Sequence, residues 1–105
     1  MVYNAFLLPS AERELDAIVS YLLEFGTSVA RAFLDEYSKQ LELLCEGSIT
    51  YALSRMPELA ALGYHTAFFK KYLFLYYIEE NRIVVAHFFH QRQDYAALVL
   101  SEQPE

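Results

Sequence analysis

The strongest constraint on the fold is a pair of nearby segments, Tyr72–Ile78 and Ile83–His90, that are apolar at almost every position. Aromatic and branched residues favour β-strands, and the short polar stretch 79–82 predicts an antiparallel hairpin between them. If Ile78 lies opposite Ile83, facing residues share one side of the sheet. One face then holds Leu73, Leu75, Tyr77, Val84, Ala86 and Phe88, with His90 and Arg92 at its end, and the other holds Tyr72, Phe74, Tyr76, Ile78, Val85, His87 and Phe89. Both faces are apolar, so both need a cover.

The first half of the chain supplies helices for one of those faces. Val2–Leu8 is predicted to be a strand that is closed by Pro9. Ser10 is then expected to be the N-cap of a helix that runs to about Phe25, where Gly26 ends it.

A second helix is expected to follow at once, with Thr27 or Ser28 as its N-cap and Gly47 at its end. Two antiparallel helices joined by so short a turn form a helical hairpin. One such hairpin covers only one face of a sheet, so the second face is either open or covered by something else.

The rest of the chain completes a two-layer domain. Residues 48–62 show no clear period, and Pro57 argues against a regular element there. The remaining predicted elements are a strand at Tyr64–Phe69, a short helix at Tyr95–Leu100 capped by Asp94, and a frayed tail at Gln103–Glu105. The sequence therefore predicts one α+β domain over residues 1–105, in the order β-α-α-β-β-β with a short C-terminal helix, and with an antiparallel meander packed on the helical hairpin.

The charge balance narrows the possible partners. The chain carries 8 Lys and Arg against 14 Asp and Glu, a net charge of -6. A protein that binds nucleic acid through its overall charge normally shows a basic footprint, so this class is disfavoured. Most of the excess acid lies in residues 1–46, so any contact with a polyanion belongs to the C-terminal half.

Neither a cofactor nor a metal is expected from the sequence. His87 and His90 are three residues apart on a strand and so point to opposite faces, and the only cysteine, Cys45, lies far away on the second helix. Three glycines leave little room for a phosphate-binding loop. Cys45 is expected to be a core residue without a redox function. The lone cysteine, together with the lack of a targeting or membrane-spanning segment, predicts a cytoplasmic protein that has no membrane partner.

The densest group of functional side chains follows the last strand. His90, Arg92 and Tyr95 together offer a proton acceptor, a cation and a proton donor, which are the groups that RNA cleavage needs. The alternative interpretation is structural, in which a strand ends and Asp94 caps a helix while it pairs with Arg92.

The order of these motifs resembles a family. The matching segments are Ala11 to Leu15, Ile18 to Leu22, Gly63 to His65, Lys71 to Ile78, and His90-x-Arg92-x-Asp94-Tyr95. Together they resemble the RelE/ParE toxins of bacterial toxin–antitoxin modules, across nearly the whole chain. The resemblance implies a sheet with helices on one face, a concave functional face on the other, and a cognate antitoxin that wraps the toxin.

Departures from the family pattern favour the ParE branch, whose members bind DNA gyrase. His65 stands where members often have arginine. Leu73 stands where RelE-type ribonucleases have an arginine, and Tyr64 and Thr66 stand near their lysine pair. We therefore expect a toxin that is not an enzyme.

The residues expected to contact its target are Lys70, Lys71, His65 and Arg92. The alternative is a RelE-type mRNA endoribonuclease that acts on the ribosome with a reduced set of catalytic residues. In this alternative His90, Arg92 and Tyr95 are the catalytic candidates. A third alternative is a binding module that has lost toxicity. A homodimer is also a candidate assembly. An antitoxin segment is expected to cover the second sheet face through apolar anchors.

Overall fold

The computed structural model describes residues 3–93 and 95–102. The elements are β1 (Asn4–Leu7), α1 (Pro9–Leu23), α2 (Thr27–Glu46), α3 (Pro57–Ala61), β2 (His65–Phe69), β3 (Tyr72–Glu79), β4 (Arg82–His90) and α4 (Tyr95–Glu102). The predicted element order and the α+β class are confirmed. Val2, the predicted cap Asp94 and the predicted frayed tail at residues 103–105 lie outside the described residues.

The four strands form one mixed sheet in the order β1-β4-β3-β2. The meander β2–β3–β4 is antiparallel, as predicted, whereas β1 is parallel to β4 at the edge of the sheet. A parallel neighbour needs a long crossover connection, and the helical hairpin is part of the chain that makes it. β1 is therefore next to the last strand of the sheet although it is the first in the chain.

The helix ends differ from the predicted caps. α1 has Leu8 at its N-cap position and Pro9 in its first turn, where a missing N–H costs nothing. The Ser10 hydroxyl instead donates to the carbonyl oxygen of Ala86 at 2.7 Å, which ties the helix to the sheet. The N-cap of α2 is Gly26 rather than Thr27 or Ser28. Gly47 adopts a left-handed φ of 78° and ends α2 as predicted.

The absence of a regular element in residues 48–62 was a wrong prediction. α3 lies within this segment, and Pro57 is in its first turn. Proline opposes a helix only in its interior, so Pro57 starts this helix rather than preventing it.

A bulge in β4 changes which face its last residues occupy. Ile78 pairs with Ile83 as predicted, but the register shifts between Leu75 and Tyr76, which leaves Ala86 as the extra residue. Beyond the bulge every side chain changes face. The predicted faces of residues 87–90 are therefore wrong: Phe88 and His90 lie on the side of the helical hairpin, while His87 and Phe89 lie on the other side.

Each face of the sheet has its own core. The larger core lies between the sheet and the hairpin of α1 and α2. It includes Cys45, which is 2% exposed, and this confirms its predicted core position. The smaller core is formed by Leu59, Tyr64, Leu73, Leu75, Ala86, Phe89 and Val99. Leu59 belongs to α3 and Val99 to α4, so the chain itself covers the second face. This face is not the open surface for an antitoxin that the sequence led us to expect.

Candidate functional site: a basic cleft at the hairpin tip

A cleft of about 590 Å³ opens where the tip of the helical hairpin meets the end of the sheet. We call it the hairpin-tip cleft. The helices contribute Tyr21, Leu22, Ser28, Val29, Ala32 and Phe33, and the sheet end contributes Lys70, Lys71, Tyr72 and His90. The walls are thus mainly apolar and aromatic, and the cations come from the sheet end.

The two lysines form the tight turn between β2 and β3. Lys70 has a φ of 55°, in the left-handed region that a two-residue turn commonly requires. The Gln91 side-chain amide donates to the carbonyl oxygens of Lys70 at 2.9 Å and Tyr72 at 3.3 Å. The Gln91 backbone N–H also donates to the carbonyl oxygen of Lys71 at 2.8 Å. The chain after β4 therefore fixes the backbone of the lysine turn beside His90.

The imidazole of His90 is held by its own turn. Its Nδ1 accepts the backbone N–H of Arg92 at 3.1 Å, and the ring packs edge-on against Tyr72 with centroids 5.2 Å apart. When the ring is neutral, Nε2 carries the proton, because the Nδ1 lone pair already accepts a bond. In this tautomer Nε2 is a donor, which suits an anionic partner better than it suits general-base catalysis.

The Tyr72 hydroxyl remains neutral in this cleft. Burial raises the pKa of Tyr72, and the nearby Tyr21 raises it further. The group therefore stays a phenol at physiological pH and adds no negative charge beside the two lysines.

The structure brings together only some of the predicted site residues. His90, Lys70 and Lys71 line the hairpin-tip cleft, and Arg92 lies exposed in the turn that follows β4. Tyr95 is the first residue of α4. Their roles as catalytic or target-contact residues stay predictions.

His65 lies at the other end of β2 from the lysine turn. Its Nδ1 is 2.7 Å from the carbonyl oxygen of Tyr51, and its ring stacks on Tyr76 with centroids 5.0 Å apart. The backbone N–H of Tyr51 in turn donates to the Tyr76 hydroxyl at 3.2 Å. In this structure His65 therefore anchors the segment before α3, away from the cleft.

His87 is a hydrogen-bonded residue of the core. It is 5% exposed, and its Nδ1 lies 3.1 Å from a carboxylate oxygen of Glu14 on α1. The same carboxylate accepts the backbone N–H of Phe88 at 3.1 Å. Glu14 thus binds the strand just beyond the bulge, a role that no spacing in the sequence reveals.

The positions where a RelE-type ribonuclease carries cations lie inside the protein. Leu73 is fully buried, and Tyr64 and Thr66 are each 7% exposed. Within the described residues, no group of three or more His, Cys, Asp or Glu side chains is placed to hold a metal ion. In the same part of the chain, no helix combines the length and the apolar character that a bilayer crossing requires.

Sequence reasoning missed the helical side of the site. Tyr21 and Val29 remain 54% and 40% exposed, and neither was identified as a site residue from the sequence. Gln91 was also missed, because an amide that binds backbone carbonyls leaves no signature in spacing. The signal in the sequence was the presence of Tyr21, Phe25 and Val29 close to the turn between the two helices.

Comparisons with known proteins agree with this fold. A family profile described as "ParE toxin of type II toxin-antitoxin system, parDE" matches residues 6–95. The chain therefore belongs to the ParE family of type II toxin–antitoxin toxins. A solved structure described as "Chromosomal ParDE TA system from P. aeruginosa" superposes with a TM-score of 0.66 at 15% identity, over 85% of this chain and 96% of the other. At that identity the likeness supports the fold alone. A search of curated proteins finds no match.

Proposed function

We propose that this ParE-family chain is a cytoplasmic toxin that stops growth by binding a protein target, and that a cognate antitoxin neutralises it. DNA gyrase is the candidate target, because ParE-type toxins act on it. The proposal treats the protein as a binding inhibitor rather than an enzyme. Lys70, Lys71 and Arg92 remain the proposed target contacts, while His65 is now better explained by its bonds to the chain itself.

The observation that carries this proposal is the burial of Leu73. RNA cleavage passes through a phosphorane whose negative charge must be stabilised, and an aliphatic side chain provides no charge for it. Leu73 also packs with Leu59 and Val99 beneath α3 and α4, so a substrate has no access to this position while those helices are in place.

One observation favours the endoribonuclease alternative. Lys70, Lys71 and His90 line a single cleft, and Arg92 follows two residues after His90. Cations beside an imidazole are a usual part of RNA-cleaving sites. In this alternative His90, Arg92 and Tyr95 are the catalytic residues, and the mRNA on the ribosome is the substrate.

The two functions are separated by inducing the toxin alone in bacteria and following two processes over time. The proposal predicts that plasmid supercoiling falls before protein synthesis does. Loss of protein synthesis first, with supercoiling intact, would favour the endoribonuclease. Normal growth despite accumulation of the folded protein would indicate a binding module without toxicity.

A further inference from the structure

We propose that the end of the sheet beside the hairpin-tip cleft binds the phosphate backbone of double-stranded DNA held by the target, while exposed apolar side chains of the helical hairpin contact the target protein next to that DNA. This inference rests on the proposed function, since it names the part of a gyrase–DNA complex that each surface of the toxin meets. The two surfaces are the cationic sheet end, formed by Lys70, Lys71, His90 and Arg92, and the apolar tip, formed by Tyr21, Phe25 and Val29.

The cationic sheet end presents its charges to the solvent. Lys70, Lys71 and Arg92 are exposed, and none of them forms an ion pair within the described residues. His90 adds a ring nitrogen, Nε2, which donates a hydrogen bond when the ring is neutral and shares its charge when the ring is protonated. These groups are therefore available to an anionic partner.

The chain holds these groups in a fixed arrangement. Gln91 makes three hydrogen bonds to the backbone of residues 70–72, so the lysine turn has a defined path. The backbone N–H of Arg92 donates to Nδ1 of His90 at 3.1 Å, which places the start of the next turn beside the imidazole. A preformed arrangement of donors lowers the entropy that binding must remove, so it strengthens binding without adding contacts.

Exposed cations gain more from a row of phosphates than from protein carboxylates. An exposed ion pair between side chains contributes little, because water and salt screen it. Each cation that neutralises a DNA phosphate instead releases condensed counterions, and this release favours binding. Three exposed cations at one end of a chain with a net charge of -6 therefore suit a polyanion better than they suit a protein surface.

The acidic remainder of the chain decides when DNA is bound. Because the net charge is -6, most of the toxin surface is repelled by a polyanion, and the cationic sheet end alone holds free DNA weakly. When a protein that the toxin also contacts presents the DNA, the second contact forms within one complex, at a high effective concentration. The toxin therefore binds DNA together with its protein target.

The apolar tip provides the contact with that protein. Tyr21, Phe25 and Val29 are 54%, 63% and 40% exposed, and the Tyr21 and Phe25 rings pack edge-on with centroids 5.2 Å apart. Single exposed apolar side chains need no explanation, but a group of them indicates an interaction surface. Tyr21 and Val29 also line the same cleft as Lys70 and Lys71, so the apolar tip adjoins the cationic sheet end. Adjoining apolar and cationic surfaces match a partner in which protein lies beside DNA.

The test measures the dissociation constant of the purified toxin for gyrase alone and for gyrase bound to a DNA duplex, at several salt concentrations. Lys70→Gln with Lys71→Gln removes two charges from the sheet end. Lys39→Gln with Arg55→Gln is the matched control, because it removes two exposed charges that do not line the cleft. Thermal unfolding verifies that each variant is folded, and Arg92→Gln replaces the double lysine variant if that variant does not fold.

The double lysine variant is expected to distinguish the two forms of gyrase. It should bind the gyrase–DNA complex at least about tenfold more weakly than wild type does, and gyrase alone within about threefold of wild type. Loss of two phosphate contacts should also reduce the slope of log affinity against log salt concentration by about 2 for the gyrase–DNA complex. The control should leave both affinities within about threefold and the slope unchanged.

Phe25→Asp tests the apolar tip, with Ile78→Asp as its control, because Ile78 is also exposed but lies outside the tip. Phe25→Asp should weaken binding to gyrase by at least about tenfold whether or not DNA is present. Ile78→Asp should change either affinity by less than about threefold.

Four outcomes would overturn this assignment. Equal weakening of both forms by the double lysine variant would mean that the cations contact an acidic protein surface. Unchanged binding in that folded variant would leave the sheet end outside the interface, and unchanged binding in folded Phe25→Asp would do the same for the apolar tip. A wild-type affinity for gyrase that DNA does not increase would remove DNA from the contact. A wild-type toxin that binds neither form of gyrase would instead refute the proposed target.

Discussion

The two faces of the sheet are packed in different ways. The face under α1 and α2 is aromatic, with Phe33, Tyr37 and Phe88 among its buried rings and the Tyr37 and Phe88 centroids 4.9 Å apart. The opposite face is mainly aliphatic, and its cover is the 5-residue α3 and the 8-residue α4. The hairpin face is thus covered by long helices, and the second face by short ones.

This difference indicates which part of the sheet a partner can reach. The second face, where the RelE/ParE resemblance implies a concave functional surface, is filled by leucines and covered. The bulge at Ala86 moves His90 to the hairpin side, beside the lysine turn. The candidate residues Lys70, Lys71 and His90 therefore lie together at one end of the sheet.

The largest effect is expected from a charge placed in the second core. Leu73→Arg puts an unpaired cation at a fully buried position, and it should reduce the free energy of unfolding by about 4 kcal/mol. Urea denaturation followed by circular dichroism measures the loss. Leu73→Met is the control, because a swap of similar volume should cost less than about 1.5 kcal/mol. A Leu73→Arg protein as stable as wild type would mean that the second face opens readily and is not a core.

The bulge determines which face of the sheet residues 87–90 occupy, and Glu14 binds the strand just beyond it. Glu14→Ala removes the acceptor of the Phe88 N–H and the partner of His87, which should cost about 2 kcal/mol in the free energy of unfolding. Glu14→Gln keeps an acceptor oxygen and should lose less. Equal stability of the two variants would show that the carboxylate does not hold the bulge.

Cys45 tests the packing of the core between the sheet and the helical hairpin. Cys45→Ala should reduce the free energy of unfolding by about 1 kcal/mol and leave growth inhibition intact. Burial raises the pKa of the Cys45 thiol, so the thiol stays protonated and should react slowly with iodoacetamide in the folded protein. Loss of toxicity in a folded Cys45→Ala variant would assign the thiol a role beyond packing.

Tyr37 is expected to show the smallest effect at neutral pH. Its buried hydroxyl has no hydrogen-bond partner within the described residues. Tyr37→Phe should therefore leave the free energy of unfolding unchanged or raise it by up to about 1 kcal/mol. A clear loss of stability would mean that the hydroxyl has a partner.

The same residue predicts a loss of stability at alkaline pH. Burial raises the pKa of Tyr37 strongly in the folded protein, and the nearby Cys45 raises it further. The unfolded state therefore releases this proton first, so the contribution of Tyr37 to stability is intact below about pH 10 and falls as the pH rises above it. Tyr37→Phe should show a smaller decline over that range, measured as the urea midpoint against pH.

The helices and strands were largely predictable from the sequence, but the sheet face that each residue at the end of β4 occupies was not. The strands β3 and β4 were predictable because aromatic and branched residues repeat over seven or more positions, and the helical hairpin because its apolar stripes are regular. The bulge was not predictable, because Ala86 differs in no local property from a regular strand residue. One extra residue then reversed the faces of residues 87–90.

The candidate site was predictable only in part. Lys70, Lys71 and His90 were identified as functional candidates, but their grouping depends on the bulge and on the turn that Gln91 holds. α3 was missed because the proline that starts a helix was read as one that prevents it. That short helix covers the second face together with α4, and without it this face looked open.

We propose that this ParE-family chain acts by binding a protein target and not by cutting RNA. The most direct measurement adds the purified protein to translating ribosomes and maps mRNA ends by primer extension. We expect no codon-dependent cleavage, because Leu73 provides no charge and lies buried. Cleavage in the ribosomal A site that disappears with His90→Ala or Tyr95→Phe would contradict it and make those residues the acid–base pair.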